Sequence, residues 1–194
     1  MSLLTKLFKD IILIVTDWGE ERKGTEMTYV PYSPMVIARH LLLKAQAEGH
    51  ALTPLKIIKL GYIAHGWCMA YLENPLINEE VQAWRYGPVI VSLYHSFKLF
   101  GSQNIREDNA FYPAHGRVST ADLNDDTKLL LDSVWDAYKG FSALQLSTMT
   151  HQQGTPWFQV WHEQGGRGSF ATIISNDLIR EHYKELIAKR TRRD

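Results

Sequence analysis

The sequence predicts a mainly α, α+β fold: a compact helical domain around one buried central helix, with a small β element ahead of a Gly-Pro helix start. Three observations lead there. Residues 55–72 are apolar around nearly the whole circumference of a helix, and a helix without a polar face is one enclosed by protein. Ser33-Pro34, Thr53-Pro54 and Thr155-Pro156 each join an N-cap residue to a proline suited to the first turn, a pairing that opens helices. Residues 81–86 alternate at period two, which suits a short strand.

Taken in order, the first core helix runs from Ser33-Pro34 to Gly49, with Met35, Ala38, Leu41, Leu42 and Ala45 at helical spacing. The loop from Gly49 to Leu52 is short, so the next helix is a close neighbour. That central helix starts at Thr53-Pro54 and stops before Asn74-Pro75. Leu55, Ile58, Tyr62, Met69 and Ala70 form one stripe on it, and Ile57, Leu60, Ile63, Ala64, Trp67 and Tyr71 cover most of the rest. After the strand, Gly87 is free to take a positive φ. Pro88 then opens a helix with Val89, Leu93, Phe97 and Phe100 on one face and Gly101 as its cap. The tight join leaves Arg85 and Tyr86 at an exposed corner.

Residues 102–122 are polar and turn-rich, with an extended piece near Phe111 or Val118 available to pair with the strand. Asn124 to Asp126 put acidic side chains at the positive end of a helix bearing Leu130, Leu131, Val134, Trp135 and Tyr138, which Gly140 ends. Ser142 and Gln145 have capping-box spacing, Phe141 is placed to staple onto Leu146, and a helix to about Gln152 follows. Thr155-Pro156 starts another, with Trp157, Val160 and Trp161, which fades into the connector Gly165-Gly166-Arg167-Gly168. The last helix begins near Ser175, sets Leu178, Ile179, His182, Tyr183, Leu186 and Ile187 on one side, and ends in a basic tail from Lys189 to Arg193.

With 194 residues, 45% of them hydrophobic and 22% charged, the chain suits one well-filled core. Lys plus Arg and Asp plus Glu both number 21, so no overall field draws in nucleic acid or an anionic membrane. The single Cys68, inside the apolar helix, excludes an intrachain disulfide framework and a multi-cysteine metal site, and fits a cytoplasmic location. Residues 1–26 stand apart. Their apolar run is interrupted by Lys6, Lys9 and Asp10, is too short to span a bilayer and lacks a small-residue cleavage site. They read either as an amphipathic extension or as a gene-start artefact, since Glu20 to Gly24 would be encoded by mostly purine codons, as a ribosome-binding site upstream of Met27 would be. The second reading makes Met27 the natural start and residues 27–194 the single domain.

Eight histidines invite a metal or hydrolase reading, yet the chain has no HExxH, no His-x-His, no Cys-His cluster and no Gly-x-Ser-x-Gly. No catalytic residue, metal or cofactor is therefore assigned. His65 is expected as a core histidine bonded to a backbone carbonyl, and His151 as a cap on its helix end. The first two core helices invite a helix-turn-helix, but the second offers mainly Lys56, Lys59 and His65, with few side chains that read base edges. Nucleic acid is not the expected partner. Trp67 and Trp135 fall at core spacings. Trp84, Arg85 and Tyr86 keep two readings open: presentation to a partner, or packing of Trp84 with Arg85 solvated.

Four stretches together closely resemble one family. They are Leu55-Lys-Ile-Ile-Lys-Leu60-Gly-Tyr62-Ile-Ala-His-Gly-Trp67; Pro75-Leu76-Ile77 with Glu80-Val-Gln-Ala83-Trp84-Arg85-Tyr86-Gly87-Pro88-Val89 and Leu93-Tyr94; Leu146-Ser147 and Thr150-His151 with Pro156-Trp157; and Ile174 to Tyr183. The family is the Panacea domain, the SocA-like antitoxin domain also seen in phage-associated proteins of the GepA type, and the resemblance covers about residues 30 to 187. It implies a mainly helical domain that acts as the antitoxin half of a toxin–antitoxin pair without enzymatic chemistry. The implied partner is a cognate toxin from the neighbouring gene, bound directly, with a protease as a second partner to which the toxin is handed; no membrane partner is implied. By motif position the family's characteristic residues fall on Lys59, Tyr62, Trp84, Arg85, Tyr86, Gly87, Pro88, His151, Pro156 and Trp157, either to recognise partners or to hold the fold. Gly61 departs from the family, in which a larger apolar residue is usual. Two alternatives stand beside this: a phage-associated protein with hydrolase-type chemistry at His65 or His151, and a DNA-binding regulator acting through the basic tail.

Overall fold

A computed structural model describes residues 30–106, 118–169 and 171–191 of the chain. The extension at 1–26, the start at Met27, the extended piece at Phe111 and the tail residues Arg192 and Arg193 lie outside the described residues.

The long apolar helix is central in space as well as in sequence. It is α2, Pro54–Tyr71, and only Leu55, Lys56 and Tyr71 along it escape full burial. Thr53 starts it by accepting a hydrogen bond from the Lys56 N–H, and Pro54 takes the first turn, where its missing N–H costs nothing. Around α2 pack α1 (Pro34–Ala47), α4 (Asp125–Tyr138), α5 (Ala143–His151) and α7 (Asn176–Thr191). Asn124 caps α4 by accepting from the Thr127 N–H at 2.8 Å, and Ser142 with Gln145 forms the capping box at the start of α5. The core holds Trp67 and Trp135 with no exposure, and the Trp67 indole donates to the Tyr138 hydroxyl at 3.2 Å.

Two glycines set how closely neighbours approach α2. A Cβ on Gly66 would stand 2.1 Å from the Tyr183 ring, so α7 crosses α2 more closely than alanine permits. At Gly61 a Cβ would meet the δ-methyls of Ile90 and Leu93 at 3.3 Å. Those two side chains fill the space a larger residue would take.

The small sheet has the order β2-β1-β3. Strand β1 (Val81–Trp84) pairs antiparallel with β2 (Gly87–Ile90), Trp84 facing Gly87 and Val81 facing Ile90. Gly87-Pro88 is therefore not a helix start. It opens the return strand of a hairpin, and helix α3 (Val91–Phe97) begins only after Ile90, running through a 3-10 turn to Gly101. Pro88 faces Ala83, one step from the pair that closes the turn. Alternate pairs of an antiparallel ladder exchange no hydrogen bonds, so a proline there leaves the ladder whole.

The other edge of β1 pairs with β3 (Thr172–Ile174), Ala83 facing Thr172, and not with a segment near Val118, which forms no strand. Helix α6 is a single turn, Pro156–Phe158, capped by Thr155, and it continues as a π-helical turn at Gln159–Glu163. The glycine-rich stretch after it is more than a connector. It forms a 3-10 turn in which Gly166 is buried, and a Cβ there would stand 2.7 Å from the Val160 carbonyl oxygen. Among the described residues no helix is long and apolar enough to cross a membrane.

Candidate functional site

Lys59 sits on the face of α2 that meets the hairpin, and it has no exposure. Its amine donates to the carbonyl oxygens of Tyr86 at 2.7 Å and Pro88 at 3.0 Å. No carboxylate pairs with it among the described residues. Burial pushes its pKa down to about 7, because an ammonium loses its hydration there without a counter-charge. A neutral amine has two N–H donors, which matches the two carbonyls.

Gly87 lies directly against that amine. Its φ is +101°, and a Cβ would stand 2.4 Å from the Lys59 Nζ and 2.9 Å from the His151 Cε1. Helix α5 supplies the next contacts: the Ser147 hydroxyl reaches the Tyr86 carbonyl at 3.4 Å, and His151 Nδ1 donates to the Ser147 carbonyl. The His151 ring stands edge-on to Trp157, 4.1 Å between centres, and its burial holds its pKa below the ordinary value. Trp157, behind the buried Pro156, donates its indole N–H to the Trp84 carbonyl at 2.8 Å.

The carbonyls of Trp84, Tyr86 and Pro88 are thus each held by a side chain from another element. Above this knot Arg85 and Tyr86 face out, Tyr86 at 68% exposure, with the guanidinium of Arg85 5.6 Å from the centre of the Tyr86 ring. Trp84 is half-buried: its ring meets Tyr94 edge-on at 4.8 Å, and its indole donates to the Gln82 side chain. Tyr62 is not part of the knot. It is buried against Tyr183 on the side of α2 that faces a groove lined by Thr150, Gly154 and His182, and burial raises its pKa.

Trp84 and Arg85 form a ridge between two apolar grooves. One, of about 410 Å³, lies between the ridge and Trp161, Arg167, Gly168 and Ala171. The other, of about 480 Å³, is lined by Leu55, Ile58, Val89, Tyr94 and Lys98. Arg167 and Ser147 were not singled out by sequence reasoning. Ser147 stands inside a stretch that carries the family resemblance, whereas Arg167 sits in what reads as a plain connector.

His65 is fully buried and bonds to the Asn176 side-chain oxygen at 3.0 Å rather than to a backbone carbonyl. Its pKa is pushed down to about 4 by burial. His65 and His151 line no common cavity among the three described here. Ser147 and His151 approach to 3.4 Å, but the Nδ1 hydrogen is already given to the Ser147 carbonyl, so that nitrogen is not a base for the hydroxyl. Among the described residues no three His, Cys, Asp or Glu side chains gather as a metal site. The helix-turn-helix reading meets a steric obstacle, since Lys59 and His65 are buried and the Lys56 amine is bound to the Lys139 carbonyl at 2.7 Å.

Fold and site together describe a helical domain that holds a hairpin turn at its surface. Residues 57–158 match the family described as "Antitoxin SocA-like, Panacea domain", and the chain belongs to that family. The match contains every member of the knot around Gly87. The Antitoxin SocA of Caulobacter vibrioides (strain NA1000 / CB15N) is 28% identical over 153 residues, which cover 76% of this chain and 80% of that protein. No solved structure matches the chain significantly.

Proposed function

We propose that this protein is an antitoxin that neutralises a cognate toxin by direct contact, with the hairpin tip and its two flanking grooves as the contact surface. The observation that carries this is the division of labour around Gly87: buried Lys59 and Trp157 and half-buried His151 fix the turn, while Arg85 and Tyr86 stand outside on it. An aromatic and an arginine are side chains that anchor protein interfaces, and on a turn whose backbone is already held little backbone freedom is lost when they are covered. The similarity to a protein named as an antitoxin supports the role. A cytoplasmic site of action goes with this reading.

The test is co-expression of the chain with the product of the neighbouring gene, followed by growth and co-purification. Growth rescue with a stable complex is the expected result. Rescue accompanied by rapid loss of the toxin places the chain as an adaptor that hands the toxin to a protease. Neither rescue nor complex overturns the proposal.

A further inference from the structure

The chain has equal numbers of cationic and anionic side chains, 21 of each, yet the described linings of the two grooves contain no Asp or Glu. They contain Lys59, Arg85, Lys98 and Arg167 instead. The last three are exposed, and none has a carboxylate partner among the described residues. Away from the grooves, Lys44, Lys128, Lys139, Arg180, Lys184 and Lys189 each sit 2.6–3.2 Å from a carboxylate. Three exposed cations with no carboxylate partner among the described residues, Arg85, Lys98 and Arg167, thus line the two grooves beside the hairpin ridge.

The first groove exists because β3 leaves β1 early. Thr172 still faces Ala83, but Ala171 has a φ of +60°, a left-handed conformation that L-residues seldom adopt, and it turns the chain aside. On that edge Trp84 and Arg85 consequently have no strand opposite them, while Trp84 keeps Gly87 on the other. The opening is bounded by Trp84 on one side and by Trp161 and Arg167 on the other; Trp84 and Arg85 also line the second groove, with Tyr94 and Lys98, so the two grooves flank one ridge. Two apolar grooves on either side of one strand end fit an extended chain laid over the ridge better than a compact small molecule.

We propose that these two grooves take an acidic peptide segment of the protein partner, an assignment that rests on the direct-contact reading above. Arg85 and Arg167 receive one carboxylate, an apolar side chain of the segment lies between Trp84 and Trp161, and a second carboxylate reaches Lys98. Guanidinium groups suit the first position because they bind carboxylates in a planar, two-point geometry.

The experiment uses the full chain and the product of the neighbouring gene. Affinity is measured for the wild type and for the Arg85→Glu/Arg167→Glu variant at low and high salt. In parallel, the cross-linking residue p-benzoylphenylalanine is placed at Gly168, a groove position where a Cβ meets nothing within 4 Å. The expected results are a loss of at least about tenfold in affinity on charge reversal with an unchanged melting temperature, and cross-links on an Asp- or Glu-rich partner segment. Lysine substitutions in that segment should restore binding to the reversed variant. A complex indifferent to Arg85→Glu/Arg167→Glu, or cross-links on a neutral or basic segment or on a second copy of this chain, overturns the groove assignment and leaves direct contact standing. Absence of any complex with the wild type overturns both.

Discussion

The amine of Lys59 lies 2.7 Å from the carbonyl oxygen of Tyr86, so the central helix grips the tip of the hairpin from inside the protein. The two residues share a bond and differ fully in environment, Lys59 with no exposure and Tyr86 with 68%. Holding and presenting are separated within one contact.

Arg85→Ala and Tyr86→Ala should leave the fold intact, since both side chains are exposed and neither carbonyl contact depends on them. Thermal unfolding is expected to move by no more than about 0.5 kcal/mol, the usual range for surface changes. Toxin binding should weaken by about 2 kcal/mol for each, as interface anchors do. Unfolding of either variant in a circular-dichroism melt would make these residues structural instead.

Gly87→Ala should destabilise by about 2–4 kcal/mol, because it combines a positive φ with a methyl driven into the Lys59 amine and the His151 ring. Gly140→Ala is the matched control. A Cβ there meets nothing within 4 Å, and denaturant titration should find it within about 0.5 kcal/mol of wild type.

Stability should rise with pH between about 7 and 10. The folded state releases the Lys59 proton near pH 7, while the unfolded chain keeps it to the ordinary 10.5, so the unfolded state binds more protons throughout that window. Lys59→Met should flatten this rise. It should also cost on the order of 1–3 kcal/mol at the alkaline end, where two buried carbonyls lose their donor. Urea titrations at pH 7 and pH 9.5 check both statements.

Acid should act through His65 in the same direction. Its folded pKa of about 4 lies below the ordinary 6.5, so stability is complete above about 6.5 and falls as pH drops toward 4. A loss of about 3 kcal/mol over that range is expected from this side chain, and His65→Gln should reduce the slope.

Much of the fold was legible because helix starts are local chemistry. Thr53, Asn124, Ser142 and Thr155 all cap helices through their own side chains; Ser33 precedes one without making that bond. The Gly-Pro pair was misread because proline is equally at home in a first helical turn and at a ladder position that asks for no N–H. Only the pairing of β1 decides between them, and pairing is not local. Strand β3 left no signal, being three residues long and joined to β1 from far along the chain. The site was half legible. Lys59 reads as a surface cation until carbonyls at Tyr86 and Pro88 are found around it, and Tyr62, which shares its motif, turns toward Tyr183 instead.

The late arrival of β3 and α7 sets a clock on synthesis. The second edge of β1 waits for Thr172–Ile174, and the bare backbone at Gly66 waits for Tyr183. At roughly 5–20 residues per second, the nascent hairpin stays incomplete for several seconds after it leaves the ribosome. A polypeptide cut short before these residues lacks both, so the second edge of the hairpin and the face of the central helix at Gly66 are covered only in chains that reach α7.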